Sequence, residues 1–181
     1  MVSAEMHELN SLLVRLFMTV PLFHELGKDE LLELIPLAQK VPFKTGQFAF
    51  SEGDAGETMY VAVSGRFEVF RGDGAQEKLV LATIDPGEHF GEIALVEHVR
   101  RTATVRALAP ALALAFTRGA LEQRPALAMK LYRNMTRILS KRLRKTNNEV
   151  LLQARRVRQA EEKAREYETE LNRLLAKLRP A

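Results

Sequence analysis

Two short runs decide the fold of this chain: Phe90-Gly91-Glu92-Ile93-Ala94-Leu95 and, after five intervening residues, Arg101-Thr102-Ala103-Thr104. Glycine at 91 lets the backbone approach a ligand closely. Residues 92–95 are good helix formers, so we expect a short helix there with its free amides directed at an anion. The planar guanidinium of Arg101 can pair with two phosphate oxygens. The carboxylate of Glu92 suits the hydroxyl donors of a sugar. These residue types are common on surfaces, so an ordinary turn remains the alternative interpretation.

The residues around these runs have the pattern of short strands. From Val41 the hydrophobic period is two, and turn residues with glycine recur every eight to twelve positions. The predicted strands are Phe48–Phe50, Met59–Val63, Phe67–Phe70, Leu79–Ile84, Thr102–Ala107 and Ala111–Phe116. Many short strands joined at glycine corners predict an antiparallel, jelly-roll-like β-roll.

Helical periodicity flanks the strands on both sides. The spacing predicts an amphipathic helix over Glu5–Val20, from the apolar residues Leu9, Leu12, Leu13, Leu16 and Phe17. A second helix is predicted from Asp29 to about Lys40. After Phe116 the helical pattern continues to Arg179, with Pro125 near its start, where proline is tolerated. The fold class is therefore α+β, a β-roll flanked by helices with a long C-terminal helix.

The C-terminal helix carries a heptad pattern from Leu139 onward. One seam position holds Leu143, Val150, Val157, Ala164, Leu171 and Leu178, and the other holds Leu139, Ala160, Tyr167 and Leu174, with Thr146 and Gln153 as polar exceptions. Five heptads predict a coiled coil, and hence a homodimer. In a parallel pair Arg156 faces Glu161 and Lys163 faces Glu168, so parallel pairing is favoured. Docking of this helix on its own domain is the alternative.

With the spacing from Glu92 to Arg101, the two runs resemble the phosphate-binding cassette of the cyclic-nucleotide-binding family. The family pattern is Phe-Gly-Glu-hydrophobic-Ala-Leu, a variable stretch, and Arg-Ser/Thr/Ala-Ala-Thr/Ser. Three glycine-containing blocks extend the resemblance upstream: Gly46-Gln47-Phe48-Ala49-Phe50, Glu52-Gly53-Asp54 and Tyr60-Val61-Ala62-Val63-Ser64-Gly65. In total the resemblance covers roughly residues 21–147.

The resemblance implies a role for each cassette residue. Arg101 would pair with the cyclic phosphate, and Glu92 would bind the ribose 2′-hydroxyl. Backbone amides around Gly91, Ile93 and Ala94, after Phe90, would complete the anion site. Thr102, followed by Ala103, lies where a hydroxyl can contact the purine, which leaves cAMP and cGMP both open. Arg100 departs from the family's usual proline, and its guanidinium is a second candidate for the anion.

The resemblance also implies that the C-terminal helix caps the base. The candidates are Ile138, Leu139, Arg142 and Thr146, of which we select Arg142. Each of them also fits the alternative of a core or coiled-coil residue.

Composition excludes several classes of site. The chain has no cysteine, and its four histidines never recur at a ligand spacing of three or four residues, so we expect no metal site. No set of nucleophile and base converges, which argues against an enzyme. No long apolar run or signal peptide is present, so we expect no membrane span and a cytoplasmic location.

The sequence thus predicts a regulatory receptor that binds cAMP or cGMP and transmits occupancy through its C-terminal helix to a protein partner. Two alternatives stay open. Residues 140–181 carry twelve Lys or Arg against six Glu, and the basic stretch 137–145 is similar to that of a basic-zipper helix, so a DNA-binding regulator is possible but not favoured. The other is a dimeric scaffold with a vestigial nucleotide fold. The predicted domains are 1–20, 21–147 and 148–181.

Overall fold

The structure is a computed structural model that describes residue 14, residues 17–72 and residues 78–177, with side chains as far as residue 173. It divides the chain into two units, Met1–Thr136 and Arg137–Ala181, which are described separately below. The domain boundaries predicted after residues 20 and 147 stay predictions.

The first unit is built on short antiparallel strands. Its described strands are β1 (Gln39–Phe43), β2 (Phe48–Phe50), β3 (Thr58–Ser64), β4 (Phe67–Arg71), β5 (Leu79–Ile84), β6 (His89–Phe90), β7 (Thr104–Ala107) and β8 (Ala111–Thr117). They form two four-stranded sheets, ordered β1-β8-β3-β6 and β2-β7-β4-β5. Every pairing is antiparallel. This arrangement confirms the predicted β-roll.

Helices flank the roll. The described ones are α1 (Lys28–Leu34), α2 (Glu92–Glu97), α3 (Arg118–Glu122) and the long α4 (Pro125–Lys177), together with 3₁₀ turns at Pro21–Phe23 and Ile35–Leu37. The α+β class with a long C-terminal helix is therefore confirmed.

The helix predicted from Asp29 to about Lys40 is wrong in its second half. The α-helix ends at Leu34, a 3₁₀ turn follows, and β1 already begins at Gln39. Pro36 explains the difference, because it has no amide hydrogen to donate and its ring crowds the carbonyl one turn earlier in an α-helix. The strands β1 and β6 were not predicted either.

Strand β7 begins at Thr104 and not at the predicted Thr102. The backbone of Arg101 bonds to the loop before β3 instead of to a neighbouring strand: its amide donates to the carbonyl of Asp54, and its carbonyl accepts from the amide of Gly53, both at 2.9 Å. This exchange delays the start of the strand and fixes the position of Arg101.

The predicted helix Glu5–Val20 falls mostly outside the described residues, and this includes Leu9, Leu12, Leu13 and Leu16. Residues 17–19 are helical. Phe17 is buried and stacks on Phe23, with 4.6 Å between the ring centroids.

Aromatic rings fill the roll. Phe90 stacks on Tyr60 with 5.1 Å between centroids and lies 4.9 Å from Phe67. Phe50 approaches both Tyr60 and Phe90 at 6.1 Å. Burying such rings is a main source of the stability of a small domain. These four rings form an aromatic wall, and Phe50 is the member of it that contacts Arg101.

The first turns of α4 belong to the same unit. Leu131 and Met135 are buried, and the side-chain amide of Asn134 donates to the carbonyls of Leu22 (3.0 Å) and His24 (2.5 Å). These bonds satisfy the carbonyl of Leu22 within the N-terminal 3₁₀ turn and that of His24 just after it. They attach the start of α4 to that segment.

The second unit is the rest of α4. Its heptad residues Leu143, Val150, Val157, Tyr167 and Leu171 are between 57% and 75% exposed. The side chain of Leu174 and residue Leu178 lie outside the described part. Coiled-coil pairing stays a prediction. Over the residues that the structure describes, no helix is long and apolar enough to cross a membrane, and no cluster of His, Asp and Glu could hold a metal ion.

Candidate functional site

The residues 90–97 form a strand, a turn and a helix in immediate succession. Strand β6 ends at the buried Phe90, and Gly91 turns the chain with φ of 78° and ψ of 7°, in the left-handed region. Helix α2 starts at the next residue, Glu92. Glycine adopts this conformation without the strain that a side chain would add. The first amides of α2 have no partners within the helix, so they are available to an acceptor.

Arg101 faces this turn from the next segment of the chain. Its Nη1 donates to the carbonyl of Gly91 and its Nη2 to the carbonyl of Thr58, each at 2.7 Å. Phe50 supports the guanidinium from one face, with 4.0 Å between the Arg101 Cζ and the ring centroid. A planar cation over a ring in this way is held by its electrostatic attraction to the ring face.

Two glycines leave the space in which the guanidinium lies. A Cβ placed on Gly56 would come within 2.3 Å of the Arg101 Nε, and one on Gly91 within 2.8 Å of its Nη1. Ordinary contacts do not approach so closely, so a side chain at either glycine would displace Arg101. Gly56 has a φ outside the left-handed region, and its requirement is therefore purely one of space.

The charge of Arg101 is only partly compensated. The residue is 5% exposed, and its Nε has no hydrogen-bond partner among the described residues. Burial lowers the pKa of Arg101, while electrostatic interactions with Tyr60, Asp54 and Glu92 act in the opposite direction. Burying a cation whose charge is incompletely compensated is costly, and an anion beside it would lower that cost.

The structure brings most of the predicted site residues into one region. Phe90, Glu92, Ala94, Arg101 and Ala103 are buried, whereas Ile93 is partly exposed and Thr102 is exposed. Gly91 and Arg101 are in direct contact. Arg142 belongs to the second unit, and its predicted role as a cap stays a prediction.

Arg100 is directed differently from its neighbour. It is exposed, and its Nη1 donates to the carbonyl of Gly53 at 2.7 Å. Of the two adjacent arginines, Arg101 is thus the one beside Gly91 and the aromatic wall.

Thr104 has a structural contact. Its Oγ1 accepts from the amide of Glu52 at 2.9 Å, and the Asp54 carboxylate accepts from the amide of Ser51 at 2.7 Å. The first bond joins the cassette to the turn at residues 51–54, and the second lies within that turn.

Sequence reasoning did not single out Phe50, Gly56 or Arg118. Phe50 and Gly56 surround the guanidinium of Arg101, and Arg118 contacts the far end of α2. The signal for Gly56 was available, since it follows Gly53 in a short glycine-containing turn. Phe50 and Arg118 have no local signal, because their contacts are with residues distant in the sequence.

The family model described as cyclic nucleotide-binding domain matches residues 40–124, which include α2 and Arg101. Residues 40–124 belong to this family. The chain resembles a crystal structure of the N-terminal domain of a transcriptional regulator from Streptomyces coelicolor, at 33% identity and a TM-score of 0.60, over 75% of this chain and 94% of that one.

Two curated relatives are similar over part of the chain. The cyclic AMP receptor protein of Thermus thermophilus is 32% identical over 133 residues, which cover 72% of this chain and 60% of that protein. An uncharacterized ABC transporter ATP-binding protein of Mycobacterium tuberculosis is 36% identical over 105 residues, 53% of this chain and 31% of that protein. The match thus spans between about a third and three fifths of these relatives.

Proposed function

We propose that this chain is a non-enzymatic receptor for a cyclic purine mononucleotide, cAMP or cGMP. The observation that carries the proposal is the buried guanidinium of Arg101, which lies beside Gly91 at the amino end of α2 and has an Nε without a partner among the described residues. A cyclic phosphate carries a single negative charge and several acceptor oxygens, so it suits both the cation and the amide donors at the amino end of the helix.

The remaining site residues follow from the family pattern. Arg101 binds the cyclic phosphate, and the amides around Gly91, Ile93 and Ala94 donate to it. Glu92 accepts from the ribose 2′-hydroxyl. Thr102 and Ala103 lie beside the purine, and the ring of Phe90 supports the turn.

The occupied site passes its signal to the C-terminal helix, on which Arg142 caps the base. The exposed heptad residues of α4 support a parallel homodimer through that helix, because an apolar seam in water gains free energy when a second copy covers it. A protein partner then responds to the change in the paired helices. The cytoplasmic location predicted from the sequence stays part of this proposal.

Calorimetric titration of the intact chain tests the proposed ligand. The chain is first freed of any co-purified nucleotide by reversible unfolding, and cAMP, cGMP and 5′-AMP are then titrated separately. We expect saturable binding of a cyclic nucleotide and much weaker binding of 5′-AMP. Absence of binding by both cyclic nucleotides contradicts the proposal and leaves the scaffold alternative.

A further inference from the structure

Arg118, the first residue of α3, holds the carboxyl end of α2. Its Nε donates to the carbonyl of Leu95 at 3.1 Å, and its Nη2 donates to the carbonyl of Ala94 at 3.0 Å. Carbonyls in the last turn of a helix have no partners within that helix and carry partial negative charge. A guanidinium fork is well suited to bind two of them together.

The same residue also contacts the loop before β3. Its amide donates to the carbonyl of Glu57 at 2.8 Å, and its Nη1 lies 3.6 Å from the Glu57 carboxylate. The Nδ1 of His98, at the end of α2, accepts from Arg118 Nη1 at 2.5 Å. Arg118 therefore joins α2, this loop and the start of α3, and its side chain is only 13% exposed.

Arg101 makes a similar pair of contacts at the amino end of α2. It binds the carbonyl of Gly91, immediately before the helix, and that of Thr58, the neighbour of Glu57. The helix has six residues, so it is about 9 Å long. An arginine is thus bound near each end of this short helix.

We propose that Arg118 is a positioning residue that makes α2 and α3 move together, so that a ligand bound at the amino end of α2 displaces α3 and the start of α4. This inference rests on the proposed function, because it requires a ligand at α2. The proposal is based on the hydrogen bonds from the Arg118 guanidinium to two backbone carbonyls. Apolar packing of the Leu95 side chain would not supply such bonds.

Amide hydrogen exchange of the intact chain, with and without saturating cAMP or cGMP, tests the coupling. The variants are Arg118→Gln and the control Arg100→Gln. Arg100 lines the same surface pocket as Arg118 and His98, so its replacement removes the same charge without touching α2. In the wild type and in Arg100→Gln, we expect the nucleotide to slow exchange at residues 91–97 and to change it at residues 118–136. In Arg118→Gln, we expect the first effect to persist and the second to disappear.

The ligand-free samples provide a readout that does not depend on binding. Loss of two charge-assisted bonds should raise exchange in α2 of Arg118→Gln about tenfold relative to Arg100→Gln. If Arg118→Gln does not fold, Arg118→Lys replaces it, since lysine keeps the charge but lacks the planar fork that binds both carbonyls.

The outcomes separate the two proposals. A change at residues 118–136 that persists in the Arg118 variant overturns the coupling role. If no protein shows a nucleotide effect at residues 91–97, the proposed function fails. In that case the ligand-free comparison decides the role of Arg118: faster exchange in α2 supports positioning, and unchanged exchange overturns it.

Discussion

The guanidinium of Arg101 lies over the ring of Phe50, with 4.0 Å between Cζ and the ring centroid. Phe50 is in turn part of the aromatic wall formed with Tyr60 and Phe90. Contact with the Phe50 ring stabilises the Arg101 cation, which burial would otherwise disfavour. The site is therefore organised in the absence of a ligand. Preorganised donors bind an anion without the cost of arranging them at the moment of binding.

The contact between Phe50 and Arg101 predicts a measurable coupling energy. We expect the free energies of unfolding of Phe50→Leu, Arg101→Gln and the double variant to deviate from additivity by about 1 kcal/mol. Urea unfolding of the four proteins measures it. Additivity within about 0.3 kcal/mol would show that the stacked geometry contributes nothing.

Gly56 predicts a purely steric effect. The methyl group of Gly56→Ala would lie 2.3 Å from the Arg101 Nε, so the guanidinium must shift. We expect a loss of cyclic nucleotide affinity of about tenfold or more, measured by calorimetry. Gly119→Ala is the matched control, because a Cβ on Gly119 meets no atom within 4 Å. Equal affinities of the two variants would contradict the assigned position of Arg101.

Glu68 predicts how stability depends on pH. The hydrogen bond from Lys78 lowers the pKa of Glu68, burial opposes this, and the hydrogen bond from Arg106 lowers it further. Because the folded pKa lies below the unfolded value of about 4.3, the stabilisation is complete above that value and is lost as the pH falls through the folded pKa.

We therefore compare the unfolding free energies of the wild type and Glu68→Gln, by urea at pH 7, 5 and 3. The stability difference should be the same at the two higher pH values and smaller at the lowest, which lies below the pKa of Glu68 in the unfolded chain. A difference that grows on acidification has the wrong sign for a lowered pKa.

The exposed heptad residues predict the oligomeric state. Val157 occupies a seam position, whereas Leu151 is similarly exposed on the same helix but lies outside the seam. We expect light scattering to find a dimer for the wild type and for Leu151→Glu, and a monomer for Val157→Glu, because a charge in the seam cannot be solvated. A dimer that survives Val157→Glu places the interface elsewhere.

Local patterns predicted the strands that obey them. Leu79–Ile84 matches β5 at both ends, and the short helix after Gly91 is present as expected. The error after Leu34 arose because the apolar residues keep a helical spacing past Pro36. Proline lacks the amide hydrogen that an α-helix needs at that position.

The site was predictable only in part, for a physical reason. Glu92 and Arg101 belong to one short cassette, so their spacing is visible in the sequence. Phe50 and Arg118 reach the cassette through tertiary contacts, over Arg101 and at the carboxyl end of α2 respectively. Such contacts exist only once the roll has closed.

We expect Arg101, and not its neighbour Arg100, to bind the cyclic phosphate. The most direct measurement is calorimetric titration of Arg101→Gln and Arg100→Gln with the cyclic nucleotide that the wild type binds. Loss of the buried, hydrogen-bonded cation should weaken binding about 100-fold or more. Loss of the exposed one should change it by less than about fivefold. Wild-type affinity in Arg101→Gln, or an equal loss of affinity in both variants, would contradict the assignment of the phosphate to Arg101.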